Sequence, residues 1–140
     1  MKKNRTLVKL ELDEVEVDEL VAPLVKPLVE LGIGVIDATV IENTQIKVNL
    51  ALAQVFEMER FFDMILNPNL HSQDELFERV IRENGWDYRL NPNFSGDKDL
   101  PSEDQFFFAV WITFPYTDMH EIIDRLAVYA VHSGIDTLED

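Results

Sequence analysis

Apolar residues recur along this chain with two different spacings, and segments with the two spacings interleave. Apolar residues at every second position indicate a strand with one buried face, whereas spacings of three and four indicate one buried face of a helix. A chain with both kinds of segment buries its apolar faces by packing helices onto a sheet. We therefore expect an α+β fold, with three or four helices on one face of a mostly antiparallel sheet of about five strands. Strands are predicted over residues 6–13, 33–41, 46–52, 86–90 and 105–114, and helices over residues 19–31, 54–66, 73–84 and 118–133.

The order of these elements narrows the topology. Residues 42–45 are polar and join two predicted strands, which should form an antiparallel hairpin. The order strand–helix–strand–strand–helix in the first half resembles the beginning of a ferredoxin-like split βαβ unit. The strand over residues 105–114 is apolar on both faces, so it should be central and buried on both sides. Residues 1–140 have the usual size of one domain and are expected to form a single acidic α+β domain.

Residues with known capping preferences mark the ends of the predicted helices. Asp18 should cap the first helix and Gly32 should end it. Pro23 and Pro27 lack an N–H for the helix, which predicts either a kink or a helix start delayed to Pro23. The run Ser-Gln-Asp-Glu from Ser72 matches a capping box. Thr117 is expected to cap the last helix.

The net charge of −15 bears most strongly on function, and the acidic residues are unevenly distributed. Residues 10–25 contain six acidic residues and no basic one, and residues 99–140 contain nine acidic residues and one arginine. Such a surface repels nucleic acid and anionic lipid and attracts basic proteins over long range. We therefore expect no direct binding to nucleic acid and none to a membrane. The alternative is that the charge serves solubility alone.

The chain contains no cysteine, which excludes disulfides, thiol nucleophiles and cysteine-based metal or iron–sulfur sites. Its basic first residues are not followed by the apolar segment of a signal peptide. No stretch approaches the ~18–20 apolar residues of a membrane span. These features predict a cytoplasmic protein that needs neither disulfide nor metal to fold.

Motifs for catalysis and cofactor binding are missing from the sequence. The Gly-Ile-Gly run from Gly32 begins like a dinucleotide-binding loop, but Asp37 occupies the position of the third glycine. No serine lies in the Gly-x-Ser-x-Gly motif of hydrolases. His120 and Asp124 lie one helical turn apart, as metal ligands can, but no clear third ligand follows them. We therefore expect no enzymatic activity, no cofactor and no metal site.

Charge complementarity favours a protein-binding role. Nuclease immunity proteins, antitoxins and phage DNA mimics, such as anti-restriction proteins, present carboxylates instead of phosphates to a basic nucleic-acid-binding surface. The chain is similar to these proteins in its physics, without sharing a motif with them. We expect an acidic inhibitor or adaptor that covers such a surface on a nuclease or another nucleic-acid-binding enzyme. The candidate partner-binding residues are Glu11, Asp13, Glu14, Glu16, Asp18 and Glu19 in a first acidic segment, Asp97, Asp99, Glu103 and Asp104 in a later loop, and Phe94 as an apolar anchor.

Three other functions stay open. A small-molecule-binding regulatory domain, which could be dimeric, would hold its ligand between the helices and the sheet. An enzyme with an unrecognised site would need His71, His120 or His132 beside carboxylates in a pocket. A structural or assembly protein, such as a virion component, has no distinguishing sequence feature. The oligomeric state, and whether the two acidic segments share one face, do not follow from the sequence.

Overall fold

The computed structural model describes residues 5–9, 14–41, 46–94, 96, 98–101 and 105–134. These residues confirm the predicted α+β class. The strands are β1 (Arg5–Lys9), β2 (Glu14–Asp18), β3 (Val35–Ile41), β4 (Lys47–Leu52), β5 (Asp87–Phe94) and β6 (Phe106–Pro115). The helices are α1 (Ala22–Glu30), α2 (Val55–Leu66), α3 (Glu75–Ile81) and α4 (Met119–His132), with 3₁₀ turns before α1 (Glu19–Val21) and before α4 (Tyr116–Asp118).

The described strands form two antiparallel sheets. β3, β4, β6 and β5 lie side by side in that order, and β1 pairs with β2 in a separate two-stranded sheet. The pairing of β3 with β4 confirms the predicted hairpin, whose turn at residues 42–45 lies outside the described residues. β2 is an additional strand, in which Val15 and Val17 alternate with acidic residues. Because β1 pairs with β2 and not with the main sheet, the described arrangement differs from a ferredoxin-like split βαβ unit.

The hydrophobic core lies between the helices and one face of the four-stranded sheet. Alternate residues of the central strands, among them Leu50, Ile112 and Phe114, point to this face and are fully buried. Helices α1 and α2 contact the sheet, and α4 packs on both. On the opposite face of β6, Trp111 and Thr113 are only half-buried. The prediction that this strand is buried on both sides is therefore wrong.

Each edge strand of the four-stranded sheet has one feature that opposes pairing with another chain. At one edge, a carboxylate oxygen of Asp18 accepts a hydrogen bond from the N–H of Val40 in β3 at 2.6 Å. At the other edge, β5 contains Pro92, which has no N–H to offer to a further strand. Asp18 does precede the first helical turn, as predicted, but its side chain makes no capping hydrogen bond and covers the β3 edge instead.

The N-cap residue of α1 is Val21 and not the predicted Asp18, whereas the end of the helix at Gly32 is as predicted. The helix begins at Ala22, with Pro23 in its first turn, where the missing N–H of a proline leaves no hydrogen bond unmade. Gly32 follows the helix with φ at +85°, a conformation that a residue without Cβ adopts readily.

The predicted caps of the later helices are wrong. α3 begins at Glu75, and Asp74 caps it by accepting the N–H of Phe77 at 3.3 Å. Ser72 lies two residues too early for the predicted capping box. Thr117 lies inside the 3₁₀ turn before α4, and no side-chain hydrogen bond caps that helix.

β5 is longer than predicted. It continues beyond Leu90 through an Asn-Pro-Asn run to Phe94, pairing residue by residue with β6 as far as Phe106. The Asn-Pro-Asn run favours a turn locally. Pairing with the long aromatic strand β6 overrides that preference, so the polar loop begins only after Phe94.

Candidate partner-binding surface

The first acidic segment contains both exposed and buried carboxylates. Glu16 in β2 and Glu19 in the following 3₁₀ turn are exposed. Asp18 is only 3% exposed, and its carboxylate bonds to the backbone of β3 at Val40. Asp18 was predicted to face a partner, and its burial argues instead for a structural role. Glu11, Asp13 and the side chain of Glu14 lie outside the described residues.

The later acidic loop begins where β5 ends. Phe94, predicted as an apolar anchor, is the last residue of β5 and is 62% exposed. Asp99 is exposed as well. Residues 95–105 contain four acidic residues and one lysine, so the loop carries a net negative charge. Asp97, Glu103 and Asp104 lie outside the described residues.

Part of the β5–β6 hairpin extends beyond the rest of the sheet. β4 ends at Leu52, which pairs with Val110 of β6. Residues 106–109 of β6 therefore pair with residues 91–94 of β5 and have no β4 residue on their other side. We call these two segments, 91–94 and 106–109, the aromatic arm.

Large apolar side chains of the aromatic arm face solvent. Phe106 is 66% exposed and Phe108 is 52% exposed, and Leu90 at the base of the arm is 54% exposed. The rings of Phe94 and Phe106 contact each other with centroids 5.0 Å apart. An adjacent group of exposed aromatic side chains is typical of a protein–protein interface.

The two candidate segments are separated on the main sheet. Asp18 contacts β3 at Val40, which is aligned across β4 with Phe114 of β6. Phe94 lies on β5, at the other edge, opposite Phe106. From residue 114 to residue 106 the distance along β6 is roughly 26 Å, at about 3.3 Å per residue. The described residues therefore do not bring Asp18 and Phe94 to one site.

Asp118 is the centre of one buried polar network. This carboxylate is 5% exposed and accepts hydrogen bonds from Arg79, at 2.7 and 3.2 Å, and from the indole N–H of Trp86 at 2.9 Å. The hydrogen bond to Asp118 raises the pKa of Arg79. The network joins α3 to the start of α4 and satisfies polar groups that burial would otherwise penalise.

Arg125 is the centre of a second network. It is 5% exposed and donates to the carbonyl of Ile65 at 2.8 Å and to Asp74 at 2.6 Å. Burial opposes ionisation of Asp74, but the hydrogen bonds from Arg125 and from the N–H of Phe77 outweigh it. The pKa of the Asp74 carboxyl is therefore lowered.

The remaining described arginine side chains differ from one another in their contacts. Arg60 donates to the carbonyls of Leu31 and Gly32, and Arg82 forms an ion pair with Glu78 at 2.5 Å. Arg89 has no hydrogen-bond or ion-pair partner in the part of the chain that the structure describes.

The three histidines differ in exposure and contacts. Nε2 of His71 lies 2.8 Å from the carbonyl oxygen of Met64, and His120 and His132 are exposed on α4. Among the residues described, no group of three or more His, Asp or Glu side chains could hold a metal ion. None of the described helices is long and apolar enough to cross a membrane.

A groove of about 410 Å³ lies on the sheet face opposite the helices. Trp111 lies directly across from Arg89. The indole nitrogen of Trp111 lies 2.7 Å from the side-chain oxygen of Asn91 when the amide group of Asn91 is turned so that its oxygen faces the indole. The residues of this groove offer an aromatic surface, a cation and amide groups to a ligand. The lining residues are Ile41, Asn49, Asp87, Arg89, Asn91, Trp111 and Thr113.

The exposure of Phe106 and Phe108 is the site feature that the sequence does not predict, because apolar residues on both faces of residues 105–114 indicate a strand that is buried on both sides. One signal could have revealed it. The predicted strand over residues 46–52 has seven residues, whereas the predicted strand over 105–114 has ten. A shorter neighbour leaves the end of the longer strand without cover.

Comparisons with models of protein families, with curated proteins and with solved structures find no match to this chain.

Proposed function

We propose that this protein is an acidic inhibitor or adaptor that binds a basic, nucleic-acid-binding surface of a partner protein and covers it. The distribution of charge carries the proposal. The chain has a net charge of −15, while Arg60, Arg79, Arg82 and Arg125 are all engaged in contacts within the molecule. The resulting negative field attracts a basic surface over long range and steers association with it.

The described candidate residues support this proposal in two ways. Glu16, Glu19 and Asp99 are exposed and can stand in for phosphates. Phe94 is exposed beside the acidic loop and can contribute apolar contact area. The partner would be a nuclease or another nucleic-acid-binding enzyme, encountered in the cytoplasm.

Affinity capture from a nuclease-treated lysate of the source cells tests the proposal. Capture is compared at about 50 mM and about 500 mM salt, because screening weakens contacts between exposed charges, and bound proteins are identified by mass spectrometry. We expect a basic nucleic-acid-binding protein that is retained at low salt and lost at high salt. Capture of no such protein, or of salt-insensitive partners alone, would argue against the proposal.

The second candidate function is binding of a small anionic ligand in the groove on the sheet face opposite the helices. It is favoured by one observation: Arg89 has no described partner and lies across from the half-buried Trp111. A planar anion could stack on the indole and place its charge at the guanidinium.

Thermal-shift measurements with a set of aromatic carboxylates test this candidate. We expect stabilisation of the wild type and of the control Arg82→Gln, whose side chain pairs with Glu78 of α3, but not of Arg89→Gln. The absence of stabilisation in all three proteins would reject the groove as a site for this ligand class.

A further inference from the structure

The exposed aromatic side chains of the arm lie on the same side of the sheet as the helices. Phe106 and Phe108 alternate in phase with Val110 and Ile112, which are buried against the helices. The strand register is unbroken along this part of β5 and β6, so both aromatic residues point to the helix side.

The arm extends past the last residue of β4, Leu52, which pairs with Val110. α2 begins at Val55, three residues after Leu52. In the first turn of α2, Val55 is 38% exposed and Phe56 is 52% exposed. On the core-facing side of the arm, Phe106 and Phe108 are more than half exposed, and none of the described helices buries them. We call the exposed set on the arm and its base, Leu90, Phe94, Phe106 and Phe108, the aromatic strip.

We propose that the aromatic strip is the apolar anchor through which the protein binds its partner, and that the partner is a basic protein with an apolar pocket rimmed by Lys and Arg. This inference rests on the proposed function and deepens it by locating the contact. Exposed apolar side chains this close together are uncommon on a protein that makes no contacts with others. A buried aromatic anchor with charged residues around it is the usual arrangement at the centre of an interface.

Charge complementarity indicates which kind of protein binds the aromatic strip. Residues 95–105, which connect the two strands of the arm, contain four acidic residues and one lysine. A second copy of this chain would bring two such loops, and two net charges of −15, close to each other. Like charges in that position oppose association. A partner with basic residues around its pocket gains attraction from the same loop.

Site-specific photo-crosslinking in the source cells tests the occupant directly. The photoreactive p-benzoylphenylalanine replaces Phe106 in one variant and Phe108 in another, and the probe replaces Val131 on α4, 79% exposed, as a control. We expect crosslinks from both arm positions to one basic protein, and none to that protein from position 131. Crosslinks to a second copy, to the chain's own residues 135–140, to an acidic protein or to nothing would overturn the inference.

A paired-substitution experiment separates this inference from the proposed function. We expect Phe106→Ser with Phe108→Ser to reduce capture of the basic partner about tenfold or more. The control Val128→Ser with Val131→Ser also removes two exposed apolar side chains, and we expect it to capture like the wild type. If the wild type captures a basic protein and the arm variant captures it equally, the inference alone is wrong. If the wild type captures no basic protein, both the function and the inference are wrong.

Discussion

Individual acidic residues in this protein have different roles that their sequence context does not reveal. Asp118 lies in the acid-rich last part of the chain, yet it is buried and binds Arg79 and Trp86, which lie 39 and 32 positions away. Asp99 lies in the same acid-rich part and is exposed. Composition predicts the excess of acids, but a partner so distant in sequence becomes visible only when the helices pack.

Replacing Asp118 should destabilise the fold strongly. Asp118→Ala leaves the guanidinium of Arg79 and the indole N–H of Trp86 without their acceptor, at a cost on the order of 3 kcal/mol in the free energy of unfolding. Urea denaturation measures this change. The control Glu78→Ala removes the ion-pair partner of the exposed Arg82, and we expect hardly any change in the free energy of unfolding. Equal losses in the two variants would contradict the role assigned to Asp118.

Asp74 should make stability depend on pH in the acid range. The pKa of its carboxyl is lowered in the folded protein, so its ionised form stabilises the fold above the ordinary value of 3.8. That contribution is lost as the pH falls through the folded pKa. The variant Asp74→Asn should therefore lose less stability than the wild type between about pH 5 and about pH 3. Unfolding curves recorded across this range test it, and parallel losses in the two proteins would contradict it.

At the scale of helices and strands, the spacing of apolar residues predicts the helices and most of the strands. It fails where tertiary contacts compete with local conformational preference. β2 escaped prediction because its acidic residues resemble a surface loop, although its two valines alternate as in a strand. β5 escaped in part because its Asn-Pro-Asn run favours a turn. Both strands depend on a pairing partner, which a local pattern does not contain.

The contact between β2 and the edge of β3 should be required for stability. Asp18→Ala removes the acceptor of the buried Val40 N–H, and we expect the free energy of unfolding to fall by roughly 1–3 kcal/mol. Glu19→Ala, one residue later and exposed, should change it by no more than about 0.5 kcal/mol. Chemical denaturation of the two variants beside the wild type makes the comparison. A neutral Asp18→Ala would show that the edge contact contributes little.

At the scale of the whole molecule, the sequence predicts which kinds of residue form the candidate site but not where the fold places them. Phe94 follows from the sequence as an exposed aromatic residue beside an acidic loop. Phe106 and Phe108 do not, because β4 ends at Leu52 and leaves this part of β6 without a neighbouring strand on one side. The separation of Asp18 from Phe94 likewise depends on strand order, which the sequence left open.

In the proposed complex, carboxylates of this protein occupy a surface of the partner that otherwise binds nucleic acid. The most direct test elutes the captured partner with increasing amounts of a nucleic-acid duplex at constant low ionic strength, so that competition is separated from screening. We expect the duplex to release the basic partner from the acidic protein and to elute together with it. A partner that stays bound to the acidic protein while it also binds the duplex would contradict the account.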